Sequence, residues 1–129
     1  MGSVLFYKEI VSNDYAFGNE LLEWVRLQFP ETNVFDTDSL TESFILDTIS
    51  SVLIQSEVCL IILDCPHQSP VSNLMPLMEE VWKSPDKYHI MATGNNTVVS
   101  KILSLCKHDY TCSSADEQKI KIRNILSVD

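Results

Sequence analysis

Cys59-Leu60-Ile61-Ile62-Leu63-Asp64 is an unbroken apolar run that stops abruptly at a carboxylate. A strand that is apolar on both faces belongs in a parallel sheet covered by helices on each side. In open sheets of that kind, functional groups collect at the carboxyl ends of the strands, where Asp64 is expected to sit.

On either side of this run, strand and helix patterns alternate. Ser3 to Ile10, rich in Val, Leu, Phe and Tyr, reads as a first strand. Asp14 can cap a helix whose apolar positions Phe17, Leu21, Leu22, Trp24, Val25 and Phe29 recur at helical spacing, and Pro30 stops it. Thr32 to Phe35 reads as a short second strand, followed by a polar loop from Asp36 to Thr41. Phe44, Ile45, Ile49, Val52 and Leu53 predict the stripe of a second helix ending near Ser56. Strand three is Val58 to Leu63, and Pro66-His67-Gln68-Ser69-Pro70 is a loop with two helix breakers. Leu74, Leu77, Met78, Val81 and Trp82 mark a third helix, with Pro76 near its first turn, where a missing N–H costs least.

Tyr88 to Thr93 reads as a fourth strand, and Thr97 can cap a helix holding Val98, Val99, Ile102, Leu103 and Leu105. Asp109 to Cys112 is a weak fifth strand before a last helix with Ile120, Ile122, Ile125 and Leu126. Trp24 and Trp82 are expected to pack helices on the sheet. The pattern is (βα)5. Right-handed crossovers then predict one α/β domain over residues 1–129, a flavodoxin-like three-layer sandwich with a five-stranded parallel sheet in the order 2-1-3-4-5.

Composition narrows the partners. The 129 residues are 45% apolar and 21% charged, ordinary for a globular chain able to bury its own core. A formal net charge of −9 argues against nucleic acid or an anionic membrane as partner, since phosphate binding needs a clustered basic face. Lys119, Lys121 and Arg123 on the last helix read as a solvated face. Met1-Gly2-Ser3-Val4 enters the first strand at once, so no signal peptide is expected. No apolar run approaches the ~20 residues that span a bilayer. Cys59, Cys65, Cys106 and Cys112 form no CxxC pair, which points to reduced thiols in the cytoplasm and to no metal site.

Between Phe6 and Ser69 the residues resemble a Toll/interleukin-1 receptor (TIR) domain. The resemblance rests on Phe6-Tyr7, then Ser12-Asn13-Asp14-Tyr15-Ala16-Phe17, then Val34-Phe35-Asp36-x-Asp38-x-Leu40, with Ile45, Ile49 and Ser56 ahead of Cys59 to Leu63. It implies a signalling domain that acts through contacts with a protein partner, a second copy of itself included. The contact surface it implies is the segment Asp36 to Ser43, with Asp36, Asp38, Leu40 and Glu42 as binding residues. The family's loop glycine is replaced around Glu42-Ser43. TIR domains that cleave NAD carry a glutamate early in the helix after strand three, where this chain reads Ser72-Asn73-Leu74-Met75. Glu79 and Glu80, about a turn later, are then the candidates for such a catalytic role, by displacement. From Asp64-Cys65-Pro66 onward the chain also resembles a response-regulator receiver, with Thr93 ending strand four. It offers Lys8-Glu9 where that family has an acidic pair, and Ser113 where it has a lysine. The balance leans toward a non-enzymatic domain without a cofactor.

The strand-end candidates are Glu9, Asp64, His67 and Thr93. Asp64 can serve as a phosphoacceptor or ligand contact, or simply cap the loop after its strand. If Glu9 and Asp64 face each other they form an acid/base pair or cation site; otherwise they are two solvated acids. His67 is either a site residue or a surface one. No Gly-x-Ser-x-Gly elbow and no phosphate-cradling glycine loop is present, with three glycines in the chain.

Overall fold

The computed structural model describes residues 2–10, 20–112 and 114–127. The strands are β1 (Gly2–Lys8), β2 (Asn33–Asp38), β3 (Val58–Asp64), β4 (Tyr88–Thr93) and β5 (His108–Thr111). They form one sheet in the order β2-β1-β3-β4-β5, and every pairing is parallel. The helices are α1 (Glu20–Gln28), α2 (Ser43–Gln55), α3 (Met75–Lys83), α4 (Thr97–Leu103) and α5 (Ala115–Leu126). A 3-10 turn, Ser72–Leu74, leads into α3. This is the flavodoxin-like arrangement that the apolar central strand demanded.

The sheet separates two cores. Leu5, Tyr7, Ile61, Leu63 and Ile90 point toward α2, α3 and α4, where Ile49, Leu53, Met78, Val81 and Ile102 meet them. Val4, Phe6, Leu60, Ile62 and Met91 point the other way, toward Leu22 and Val25 of α1 and Ile122 and Ile125 of α5. Period-two alternation along each strand produces this division. Leu60, Ile61 and Ile62 are all fully buried, each worth about 1.5–3 kcal/mol relative to exposure.

Several local expectations are corrected. β2 continues through Asp38, so Asp36 and Asp38 stand in a strand and the turn proper is shorter. The buried face of α2 is Leu46, Ile49 and Leu53, while Phe44 and Ile45 are exposed and Val52 is half-buried. Leu46, Ile49 and Leu53 define that stripe by steps of 3 and 4, with Ile45 at its margin and Phe44 on the far side of the helix. Asn96, not Thr97, caps α4: its side chain accepts from the Val98 and Val99 amides. Leu105 lies beyond the end of α4 and Ile120 on the outer side of α5, both exposed. Pro76 does fall in the first turn of α3. Asp14, Phe17 and the rest of the Ser12–Phe17 motif lie outside the described residues, as does Ser113.

Candidate functional site at the carboxyl edge of the sheet

Glu9 follows β1 directly and its amide donates to the Asp64 carbonyl at 2.9 Å, extending the β1–β3 ladder by one bond. The side chain then enters the edge on the α2–α4 side and is fully buried. Oε1 accepts the His67 amide at 2.5 Å. Oε2 accepts the Ser69 amide at 2.8 Å, the Asn96 Nδ2–H at 2.7 Å and the Ser69 hydroxyl. Burial alone would raise this carboxyl's pKa, but the donors from Ser69, His67 and Asn96 outweigh it and hold the group below the ordinary 4.5. An anion replaces a missing loop framework here, tying residues 67–69 and 96 to the end of β1.

The neighbouring bonds complete the clamp. Asn96 also donates to the Ser69 carbonyl at 2.9 Å, and its own amide reaches the Cys65 carbonyl at 3.2 Å. Gln68 bridges the Asn95 carbonyl at 2.6 Å and the Thr97 amide at 3.0 Å. Val71 then adopts a left-handed conformation, φ 43 and ψ 46, costly for a β-branched residue. That turn carries the chain from the Glu9 clamp to Asn73.

Asn73 organises the second half of the edge. Its Oδ1 accepts the Tyr7 hydroxyl at 2.5 Å, and its Nδ2 donates to the Asp38 and Thr41 carbonyls at 3.2 and 3.1 Å. Burial first, then the charges of Cys65, Asp38 and Glu9, raise the Tyr7 phenol, so it remains a donor. The turn after β2 is pinned from its other side too. Ser39 donates its amide to the Lys8 carbonyl at 2.9 Å, and its hydroxyl accepts the Ile10 amide at 2.8 Å. Asp38 Oδ1 accepts the Leu40 amide at 2.7 Å, an Asx turn. Out of this fixed turn stand Leu40, 59% exposed, and Phe44, 63% exposed, with Ile45 beside them.

The structure therefore sorts the nominated residues into separate places. Asp64 and Glu9 do not form a pair. Leu63 and Cys65, which flank Asp64, both join the core under α2–α4, so Asp64 projects to the opposite face. There its Oδ1 accepts the Thr93 hydroxyl at 3.4 Å. The expectation of two solvated acids is also corrected for Glu9, whose lone pairs are occupied by four neutral donors. His67 contributes its backbone amide to that clamp. Glu80 acts electrostatically on Tyr88, the first residue of β4, roughly 17 Å from the carboxyl edge at 3.3 Å per residue. Glu79 is exposed. Burial, with the charges of Glu9 and Asp64, pushes the Cys65 thiol up to about 12, which leaves it inert as a nucleophile.

Charge is distributed unevenly along the chain. From residue 27 to 82 there is no Lys or Arg but nine Asp and Glu, so this stretch carries the whole net charge of −9. It comprises β2, α2, β3 and α3 up to Trp82, and includes the exposed Glu42 and Asp47 beside Leu40 and Phe44 in sequence. Among the described residues, no cluster of three or more His, Cys, Asp or Glu side chains could hold a metal ion, and no helix is long and apolar enough to cross a membrane. No protein-family model matches the chain, and neither curated proteins nor solved structures yield a match.

Proposed function

We propose that this chain is a non-enzymatic protein-interaction domain of signalling type, which binds a protein partner through the turn after β2 and the first turn of α2. One observation carries the reading: Leu40, Phe44 and Ile45 are exposed within six residues, on backbone fixed by Asn73, Ser39 and Asp38. Apolar side chains scattered singly over a surface need no explanation, but a group of them on a fixed turn does. A preformed turn loses little conformational entropy on association, which is the advantage of holding it rigid before a partner arrives.

The acids around the patch select the partner's chemistry. Glu42 and Asp47, both exposed, flank Leu40, Phe44 and Ile45 along the chain, so the fitting surface is apolar with a Lys/Arg rim. A second copy approaching with the same patch would bring like charges together. Association with a basic partner is therefore favoured over symmetric self-association, and its rate should fall as salt rises. The carboxyl edge agrees with this reading, because the buried carboxylate there, Glu9, is engaged by the chain's own loops. Four free cysteines, three of them buried, fit a reducing cytoplasmic compartment.

Proximity labelling in cells tests the assignment. The wild type is compared with Leu40→Asp and Phe44→Asp, and with Leu27→Asp and Leu105→Asp, which change equally exposed apolar residues elsewhere. Partners lost with the first two and kept with the second two are the expected result. Equal retention across all four variants would remove the turn as the contact surface.

A further inference from the structure

His89 and His108 stand directly opposite one another in the β4–β5 pairing. Their rings are stacked, with centroids 4.7 Å apart and planes 20° apart. Tyr110 also stacks on His89, at 6.0 Å, with its hydroxyl 3.2 Å from His89 Nδ1. His89 is flanked by Tyr88 and Ile90, which both enter the core under α2–α4, so the histidine pair lies on the α5 side of the sheet. Each ring is half-buried.

The surroundings disfavour added positive charge. In β3 the residue opposite His89 is Leu60, which is apolar and fully buried. From α5, Lys121 places its ammonium 5.4 Å from the Tyr110 ring centre. Lys107 adjoins His108 in sequence, and Asp86, the acid in electrostatic contact with His108, is already bonded to Lys107. Two protonated imidazoles in contact would thus meet further cations and one acid already engaged. The strand at stake is weakly held. β5 is four residues long, sits at the sheet edge and pairs with β4 alone.

We propose that the stacked His89–His108 pair is a proton-sensitive latch on the β5 edge, which holds β5 and the following α5 to the sheet at neutral pH and loosens them on acidification toward pH 5. Burial, and then the neighbouring His108, keep His89 from taking up a proton as readily as it does in the unfolded chain. The sign follows from linkage. The unfolded state binds more protons, so stability is complete above the ordinary 6.5 and declines as pH falls from there to the depressed folded value.

Urea unfolding and amide exchange of the full chain at pH 7.5 and 5.0 test the latch. Between those values the unfolding constant should rise by a larger factor in the wild type than in His108→Gln, which removes the neighbouring imidazole and leaves the burial of His89 in place. Exchange protection should fall further in β5 than in β3. An equal pH response in His108→Gln, or equal loss of protection in both strands, would overturn the proposal. If His108→Gln does not fold, proton NMR of the wild-type imidazoles decides. Titration of His89 below the ordinary histidine value supports the latch, and titration at or above it refutes it.

Discussion

The Glu9 carboxylate and the Asn96 amide meet at 2.7 Å, joining the end of β1 to the cap of α4 across 87 positions of sequence. Both side chains are buried, and Asn96 uses all four of its side-chain hydrogen-bonding positions: two donors toward Glu9 and Ser69, two acceptor sites toward Val98 and Val99. A buried charge is tolerated only when desolvation is offset by hydrogen bonds of good geometry. Here the offset comes entirely from neutral donors in two loops. The loops after β3 and β4 are thereby fixed by one acid.

Replacing that acid with its isosteric amide tests the clamp. In Glu9→Gln the amide NH2 must face at least one of the present donors, because both carboxylate oxygens accept. One buried N–H then loses its acceptor, at a cost of about 1–3 kcal/mol. Glu9→Ala leaves all four donors unmet and should cost more. Urea unfolding at pH 7 measures both, and a cost below about 0.5 kcal/mol for Glu9→Ala would show that the clamp contributes no net stability.

The same residue sets the acid limit. Its folded pKa is lowered relative to 4.5, so native Glu9 binds its proton less readily than the unfolded chain does. The stabilisation is complete above about 4.5 and is lost as pH falls through the lower, folded value. Unfolding followed from pH 6 to 2 should show a steeper decline in the wild type than in Glu9→Gln. This loss sets in below about 4.5, whereas that from His89 sets in below about 6.5, so the two onsets differ on one titration.

How far the sequence disclosed this arrangement depends on the range of the interaction. The apolar run at Cys59 to Leu63 indicates a parallel sheet covered on both faces, and the alternation of strands and helices with right-handed crossovers leaves few other orders. The phase of α2 is ambiguous in the sequence, since Ile45, Ile49 and Val52 repeat at helical spacing as well as Leu46, Ile49 and Leu53. Glu9, Asp64, His67 and Thr93 all lie at the carboxyl edge of the sheet, but which face each takes depends on a register that alternates with every residue. Ser69, Asn73 and Asn96 are not legible as site residues in the sequence. Uncharged polar loop residues carry no periodic signal, and their partners lie dozens of positions away. A weak clue was present: Asn96 stands just before an apolar run, where a cap is expected.

Gly94 offers a test of the loop geometry behind the clamp. It has φ +94, and a Cβ there would strike the Cys65 carbonyl group and lie 2.8 Å from the Pro66 nitrogen. Backbone cannot move aside as a side chain can, and Asn96 bonds to that same Cys65 carbonyl. Gly94→Ala should therefore destabilise the fold by at least about 2 kcal/mol, strain at such positions costing 1–3 kcal/mol before any clash. The measurement is thermal or urea unfolding. A neutral result would mean that the loops after β3 and β4 can separate without consequence, against the clamp as described.

Tyr7 and Asn73 permit the turn after β2 to be separated from the fold that carries it. Tyr7→Phe removes the hydroxyl that Asn73 Oδ1 accepts but leaves both Asn73 bonds to the Asp38 and Thr41 carbonyls in place. Asn73→Ala removes all three. Each bond is worth about 1 kcal/mol, so Tyr7→Phe should cost about 1–2 kcal/mol and Asn73→Ala about 2–3 kcal/mol. A double-mutant cycle should return a coupling near 1 kcal/mol, because the hydroxyl bond is counted in both single variants. Partner labelling should divide them differently. Asn73→Ala frees the turn that presents Leu40 and should weaken association well beyond its effect on folding, whereas Tyr7→Phe should leave association close to wild type. If both variants weaken labelling only in proportion to their lost stability, the rigidity of the turn is not what the partner reads.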